Sequence, residues 1–314
     1  RHDVFATLEE LYMNHERWQE LLSAYVERAD IVDDAALRLS LLERGAKIAE
    51  EKLQQPQMAF VVLQSAIAEN WKNADFMAEL QRLAEATGSW GELVGQFEGM
   101  IAQATSPADV LALHNIVARW YFHHLNDNEA SWNHFAFVLD QDPKNLDALA
   151  AMTEIYWRLG NWDELVNILS KRLELTTVTD DRVSLYMELG KVFEEKIGDV
   201  GQAIECYIQA FKLSEDRLDV MKELARIYEM AEQWSELIDI LEREMAVLDD
   251  VEEKIAVRFR IGTIWENMLQ NNEKAAASYA EVVAMDETHA EALVALERLD
   301  IALERWTDLL KVYE

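Results

Sequence analysis

The chain has 314 residues, half of them apolar, so it is long enough to bury a sizeable core. With 60 acidic and 29 basic residues its net charge is −31, which disfavours nucleic acid and anionic membrane surfaces as ligands. Glycine (10) and proline (3) are scarce, which favours helix over strand. The charge itself has two interpretations, a well-solvated surface or attraction to a basic protein partner.

The sequence gives little information on the compartment. Its single cysteine, Cys206, cannot form an intrachain disulfide, and no apolar run reaches the roughly 18 residues of a membrane-spanning helix. The chain begins with Arg1 rather than Met, so the presence of a targeting segment cannot be judged. We expect no membrane insertion and a cytoplasmic location, with the periplasm and the cell surface left open.

A tryptophan motif recurs along the whole chain. Trp18-Gln-Glu-Leu21-Leu22 is the first copy, and similar copies follow at 72-residue intervals, beginning at Trp90, Trp162, Trp234 and Trp306. Constant spacing over five copies predicts a single continuous repeat array with blocks 18–89, 90–161, 162–233 and 234–305 and partial blocks 1–17 and 306–314. Neither end carries the polar cap of a finished array, so we expect a piece of a longer protein.

Each block divides into two similar units. The first is exemplified by Tyr186-x-x-Leu189-Gly190-x-x-Phe193 followed by Ala203-x-x-x-Tyr207, and the second by Met221-x-x-Leu224-Ala225-x-x-Tyr228 followed by Leu237-x-x-x-Leu241. This pattern resembles the tetratricopeptide repeat, W-x2-L-G-x2-Y followed by A-x3-F and P. The resemblance covers nearly the whole chain but is divergent, because leucine replaces the small residue in alternate units at Leu21, Leu93, Leu165, Leu237 and Leu309.

The resemblance implies an all-α fold, a right-handed superhelical solenoid of about nine antiparallel helix hairpins. The apolar spacing within 181–197 predicts one such helix, with Asp180 and Asp181 as caps and Gly198 at its left-handed end. Small residues at Gly190 and Gly262 would allow paired helices to cross closely. We predict that the five periodic tryptophans, Trp18, Trp90, Trp162, Trp234 and Trp306, belong to the core.

No motif indicates catalysis. The sequence has no G-x-x-x-x-G-K-[ST] or G-x-G-x-x-G phosphate-binding loop. His114, His123, His124 and His134 are the only local histidine cluster, and ordinary packed or surface histidines explain it better than a metal site does. We expect neither enzyme activity nor a metal or cofactor.

The resemblance also implies a binding surface, because in such proteins the first helix of each pair lines a concave groove. In the stretch 112–158 the corresponding positions include Asp147, Ala150 and Glu154, and we select as candidates Asn115, Arg119, Phe122, His123, Trp157 and Arg158. Aromatic and arginine side chains dominate interface energies. A second candidate group is Phe259, Val294 and Ile301. The alternative is that Phe122 and Trp157 pack against a neighbouring helix.

The function that we predict is a non-enzymatic scaffold that binds a peptide or helix of a partner protein along the groove. The block 234–305 has 17 acids and 7 bases, against 16 and 9 in 162–233, so a basic partner would be favoured. The alternative is a structural spacer in a large complex, and an enzyme would need a catalytic domain outside this chain. The sequence does not determine the oligomeric state.

Overall fold

The structure, a computed structural model, describes residues 2–307, with side chains from Val4 onward. Every regular element in this range is helical, which confirms the all-α prediction. The chain divides into two compact units, one ending at Ile155 and one beginning at Tyr156. The predicted helix at 306–314 lies largely outside the described residues.

The first unit contains α1 to α9 and most of α10. Their bounds are α1 (His2–Asn14), α2 (Trp18–Ile31), α3 (Ala35–Lys47), α4 (Pro56–Gln64), α5 (Ile67–Asn70), α6 (Ala74–Thr87), α7 (Trp90–Gln103), α8 (Pro107–Trp120), α9 (Asn128–Gln141) and α10 (Leu146–Leu159). Short π-helical segments, Ile48–Lys52 and Tyr121–Leu125, extend α3 and α8. Neighbouring helices such as α2 with α3 and α8 with α9 pack against each other.

The second unit repeats this arrangement. Its helices after α10 are α11 (Trp162–Leu175), α12 (Thr179–Val192), α13 (Val200–Leu213), α14 (Leu218–Met230), α15 (Trp234–Val247), α16 (Val251–Asn267), α17 (Asn272–Met285) and α18 (Ala290–Ala302). The π-helical segment Phe193–Ile197 extends α12. Helix starts recur at 72-residue intervals, for example Ala35, Pro107, Thr179 and Val251.

Polar side chains cap the N-termini of many of these helices. At α12, however, the predicted capping residues do not cap the helix. Asp34 accepts hydrogen bonds from the backbone N–H groups of Ala36 and Leu37, at 2.9 and 3.1 Å. The cap prediction for Asp180 and Asp181 is wrong, because α12 starts earlier, after the N-cap residue Val178, which has no capping side chain. Both carboxylates instead lie in the first turn, where they still favour the helix dipole.

Left-handed residues end the first helix of each pair. The Asp199 N–H donates to the Phe193 carbonyl at 2.8 Å, which closes the π-helical segment, and the Asn271 N–H donates to Trp265 at 2.8 Å in the next block. The preceding residue has a positive φ every time, at Gln54, Asn126, Gly198 and Gln270. Gly198, with a φ of 81°, therefore confirms the predicted left-handed terminus.

A second left-handed series offers a test of this geometry. Glu16, Gly88, Gly160, Glu232 and Glu304 occupy equivalent positions and all have positive φ. Since the left-handed region is strained for glutamate but not for glycine, Glu232→Gly should raise the free energy of unfolding by about 0.5–1 kcal/mol. Gly160→Ala is the matched control and should lower it by about 1 kcal/mol. Chemical denaturation followed by circular dichroism measures both, and destabilisation by Glu232→Gly would contradict the assignment.

The core of each unit lies between its paired helices. In the first unit Leu21, Tyr25 and Phe60 are fully buried, and in the second Tyr207, Leu237 and Leu241 are. Gly190 and Gly262 lie at close approaches: a Cβ atom would be 2.5 Å from Cε1 of Tyr207 at the first and 2.7 Å from Cε1 of Tyr279 at the second. A methyl group at either position would therefore force the facing tyrosine ring or its helix to shift.

The periodic tryptophans occupy the border of the core rather than its centre. Trp90 is buried, Trp18, Trp162 and Trp234 are partly buried, and Trp306 is 58% exposed beside residues that the structure does not describe. Each of these indoles begins its helix. Two of them meet the end of the following first helix, with Lys52 over Trp18 at 5.2 Å and His124 stacked on Trp90 at 3.6 Å.

Candidate functional site

A layer of ion pairs joins the first helices of successive pairs. In each unit we call the surface that carries it the first-helix face; it is formed by α3, α6, α8 and α10 in the first unit and by α12, α14, α16 and α18 in the second. In the first block Arg82 bonds to Glu50 at 2.6 Å and to Glu79 at 2.8 Å. These ion pairs therefore join the first helix of one pair, α3, to the first helix of the next pair, α6.

The same layer recurs in the second unit. Arg226 bonds to Glu194 at 2.6 Å and to Glu223 at 2.8 Å, and Arg298 bonds to Glu266. The hydroxyl groups of Tyr207 and Tyr279 donate to Glu194 and Glu266, at 3.2 and 3.1 Å. The hydrogen bond from Arg226 lowers the pKa of Glu194, so this carboxylate stays ionised.

The second block departs from this layer at each of its positions. Phe122 stands 72 residues after Glu50, Phe135 stands 72 before Tyr207, Ala151 stands 72 after Glu79, and Glu154 stands 72 after Arg82. The tyrosine–glutamate–arginine network is thus replaced by two phenylalanines and an acid. Phe122 is only 1% exposed and Phe135 is fully buried, so both phenylalanines pack inward.

A pocket of about 220 Å³ opens at this departure, entirely within the first unit. It is lined by Arg119, Phe122, His123, Phe135, Asp147, Ala150, Ala151 and Glu154. Arg119 on α8 and Asp147 on α10 form an ion pair across its rim, with Nη2 and Oδ2 3.2 Å apart. The two phenylalanines form an apolar floor beneath a rim that carries one more carboxylate than cations.

The structure brings together three of the candidates chosen from the sequence in this stretch. Arg119, Phe122 and His123 line the pocket, whereas Asn115 is not part of its lining. The Asn115 side chain instead donates to the Leu111 carbonyl at 3.2 Å, and its Oδ1 has no partner among the described residues.

The remaining candidates belong to the second unit. Trp157 is 41% exposed; its ring meets Trp162 edge to face at 5.6 Å, and the Lys196 ammonium lies 5.4 Å from its centroid. Arg158 is exposed. Phe259 is partly buried and packs on Tyr279 at 5.3 Å, whereas Val294 and Ile301 on α18 are 66% and 48% exposed.

Sequence reasoning placed Glu154 on the inner face but did not select it, and it missed Phe135 and Ala151. The periodicity contained the signal, because aligning the four blocks column by column shows that the second alone lacks the arginine and its carboxylate partners. Each of these positions taken singly is unremarkable in a helix.

The histidine cluster forms a hydrogen-bonded pair. Nδ1 of His114 and Nδ1 of His134 are 2.9 Å apart, the His114 ring stacks on Phe137 at 4.1 Å, and Glu98 lies 3.7 Å from His134 Nε2. Among the described residues no group of three or more His, Cys, Asp or Glu is arranged to hold a metal ion. None of the described helices has the length and hydrophobicity that a membrane span requires.

This pair should make stability depend on pH. Burial lowers the pKa of both His114 and His134, so the unfolded chain binds protons more readily than the folded chain as the pH falls below about 6.5. The stabilisation that depends on the neutral rings is present above that pH and is lost below it. We expect the wild type to lose more stability than His134→Gln between pH 7.5 and pH 5.5, measured by guanidinium unfolding at each pH. Equal losses in the two proteins would contradict this interpretation.

Two stretches of the chain match a known family model. Residues 148–182 and 220–255 match the model of the tetratricopeptide repeat, and these stretches contain the helix pairs whose second helices begin at Trp162 and Trp234. No curated protein matches the chain in sequence.

Several solved structures match the chain at low identity and with TM-scores below 0.5. The C-terminal part of a TPR repeat-containing protein from Cytophaga hutchinsonii is 14% identical over 92% of this chain and 98% of that one, with a TM-score of 0.42. A tetratricopeptide repeat protein from Parabacteroides merdae ATCC 43184 is 15% identical over 83% and 98%, with a TM-score of 0.40. YrrB, a TPR protein with an unusual peptide-binding site, is 16% identical over 63% and 96%, with a TM-score of 0.38.

The family match and the observed helix pairs agree. The matched stretches contain α10 with α11 and α14 with α15, and the same helix starts recur at 72-residue intervals outside them. The stretches 148–182 and 220–255 are therefore tetratricopeptide repeats.

Proposed function

We propose that the chain is a non-catalytic scaffold that binds a peptide or helix of a protein partner on its first-helix face. The observation that carries this proposal is the pocket bounded by α8, α9 and α10. There the layer of intrachain ion pairs is interrupted, and two buried aromatic rings form the floor. An apolar floor with a polar rim is the usual anatomy of a site that fixes one anchor residue of a partner.

The second unit supplies further exposed apolar side chains on the same class of helices. Trp157 on α10 and Val294 on α18 are 41% and 66% exposed. Exposed aromatic and branched apolar groups favour protein contact over a purely structural role. A basic partner would be favoured by the net charge of −31, so binding should weaken as salt is raised.

A spacer role is the second candidate, because the ion-pair layer at Arg82, Arg226 and Arg298 is closed and charged. The two functions differ in what they require of the second block: a binding scaffold uses the pocket, whereas a spacer makes its contacts at edges and ends.

Site-specific photo-crosslinking tests the proposal. A benzoylphenylalanine at Ala150, in the pocket wall, should crosslink a partner in extracts of the cells that make the protein. The matched control is the same group at Gly95 on α7, where a Cβ would meet no atom within 4 Å. Crosslinks from position 150 with none from 95 support the scaffold. Crosslinks from 95 alone, or from neither position, would overturn binding at this face and favour the spacer.

A further inference from the structure

The four blocks allow the pocket to be compared with its own equivalents in the same chain. At the other three copies an arginine on one first helix bonds to a glutamate on the preceding first helix. In two of these copies a second glutamate, Glu79 or Glu223, also holds the arginine. The first-helix face therefore binds a guanidinium group three times over, and each time the chain supplies it.

In the second block, the remaining copy, the chain supplies an acid instead. Glu154 stands where the arginine is elsewhere, and the former carboxylate positions hold Phe122 and Ala151. Ala151 is shorter than the glutamate that it replaces, and pocket volume is found beside it. Glu154 is exposed and forms no ion pair with the described residues, so its charge is not neutralised by the chain.

The other charges of the rim do not supply the missing cation. Arg119 is the basic residue in the lining with a permanent charge, and its guanidinium is bonded to Asp147 at 3.2 Å. Because that pair is neutral as a whole, the Glu154 carboxylate gives the rim its net negative charge. The rings of Phe122 and Phe135 lie beneath this rim. A carboxylate beside an apolar wall suits a long basic side chain, which packs its alkyl stem against Ala150 and Ala151 and pairs its charged end with the acid.

We propose that this pocket receives an arginine or lysine side chain of the bound protein, which pairs with Glu154 and packs its alkyl stem against the partly exposed pocket wall at Ala150 and Ala151. This rests on the proposed function and specifies the chemistry of its anchor. The partner residue would form with Glu154 an ion pair of the kind that the chain forms by itself in the other three blocks. The pocket is thus a site for a basic side chain, in contrast to a site for a C-terminal carboxylate.

The test uses the whole chain with ¹³C-labelled alanine methyl groups, because Ala150 and Ala151 line the pocket. The probe is N-acetyl-arginine methylamide, and its neutral isostere, N-acetyl-citrulline methylamide, is the ligand control. The arginine probe should shift both methyl signals, with an affinity about tenfold higher than that of citrulline. The lysine analogue distinguishes a general cation site from one specific for guanidinium. Equal shifts with arginine and citrulline, or none with either, would overturn the proposal.

Two variants separate charge from fold. Glu154→Gln keeps the size of the side chain and should weaken the arginine probe about tenfold, whereas Glu51→Gln, an exposed acid outside the pocket, should not change it. The quadruple variant A118G/F122E/F135Y/E154R rebuilds the network that the third and fourth blocks contain, including the glycine that faces the tyrosine ring there, so it should fold and lose the response to arginine. Unchanged affinity in Glu154→Gln would overturn the proposal even if the quadruple variant does not fold.

The outcome for the scaffold is independent of this result. If a partner crosslinks to position 150 while the methyl signals do not distinguish arginine from citrulline, the scaffold function holds and the basic anchor is wrong. If position 150 captures nothing and the arginine probe produces no shift, both are wrong.

Discussion

Gly190→Ala should lower the free energy of unfolding by about 3 kcal/mol, because the added methyl group cannot be accommodated. Its Cβ would lie 2.5 Å from Cε1 and 2.8 Å from Cδ1 of Tyr207. The ring cannot move away easily, since Tyr207 is fully buried and its hydroxyl group donates to Glu194 at 3.2 Å. Either α12 and α13 separate or the tyrosine loses its hydrogen bond. Guanidinium denaturation followed by circular dichroism measures the loss.

The chain itself provides the rescue. The equivalent positions in the first block hold Ala46 and Leu63, so an alanine is tolerated where the facing side chain is smaller than tyrosine. Tyr207→Leu added to Gly190→Ala should therefore recover part of the loss. Gly95→Ala is the matched glycine control; it meets open space within a helix and should stabilise by about 1 kcal/mol. If Gly190→Ala is as stable as wild type, the close approach of the two helices is wrong.

Phe122→Ala should cost about 3–5 kcal/mol, the range for removal of a fully buried aromatic ring. Phe122 is 1% exposed and forms the pocket floor next to the fully buried Phe135. Removing the ring leaves a cavity that the packed helices cannot close completely. The same denaturation measurement applies, with hydrogen exchange of α8 and α9 to locate the loss.

Trp157→Ala serves as the comparison for this variant. The indole is 41% exposed, so its removal should cost much less than removal of Phe122. Because Phe122→Ala is expected to destabilise the fold, a loss of partner binding in this variant could result from the lost stability. Glu154→Gln changes an exposed side chain and is therefore the better probe of the pocket. Equal stability changes for the two aromatic variants would contradict the observed burial of Phe122.

Much of the architecture could be predicted because a repeat encodes the same information several times. The tryptophan spacing of 72 residues matches the recurrence of helix starts, and the small residues Gly190 and Gly262 do lie where two helices approach closely. Each helix shows an apolar stripe at three- and four-residue spacing, which depends only on local geometry. Element type and pairing follow from such patterns.

The details of the site could not be predicted in this way. The candidate inner positions assume continuous α-helical periodicity through Phe122 and His123, but the segment Tyr121–Leu125 is π-helical, which changes the side-chain register after Trp120. Phe122 therefore lies in the floor of the pocket rather than on an open surface. The border position of Trp18 and Trp162 likewise depends on Lys52 and Lys196, which cover their rings from another helix.

The central claim is that a partner binds the first-helix face where the second block lacks its own arginine. The most direct measurement is calorimetric titration of the partner segment captured from position 150 into wild type, Glu51→Gln and A118G/F122E/F135Y/E154R. The account predicts equal affinity for the first two proteins and at least about tenfold weaker binding to the folded quadruple variant. Equal affinity for all three would contradict it, because the rebuilt ion pair would then occupy a site that the partner does not use.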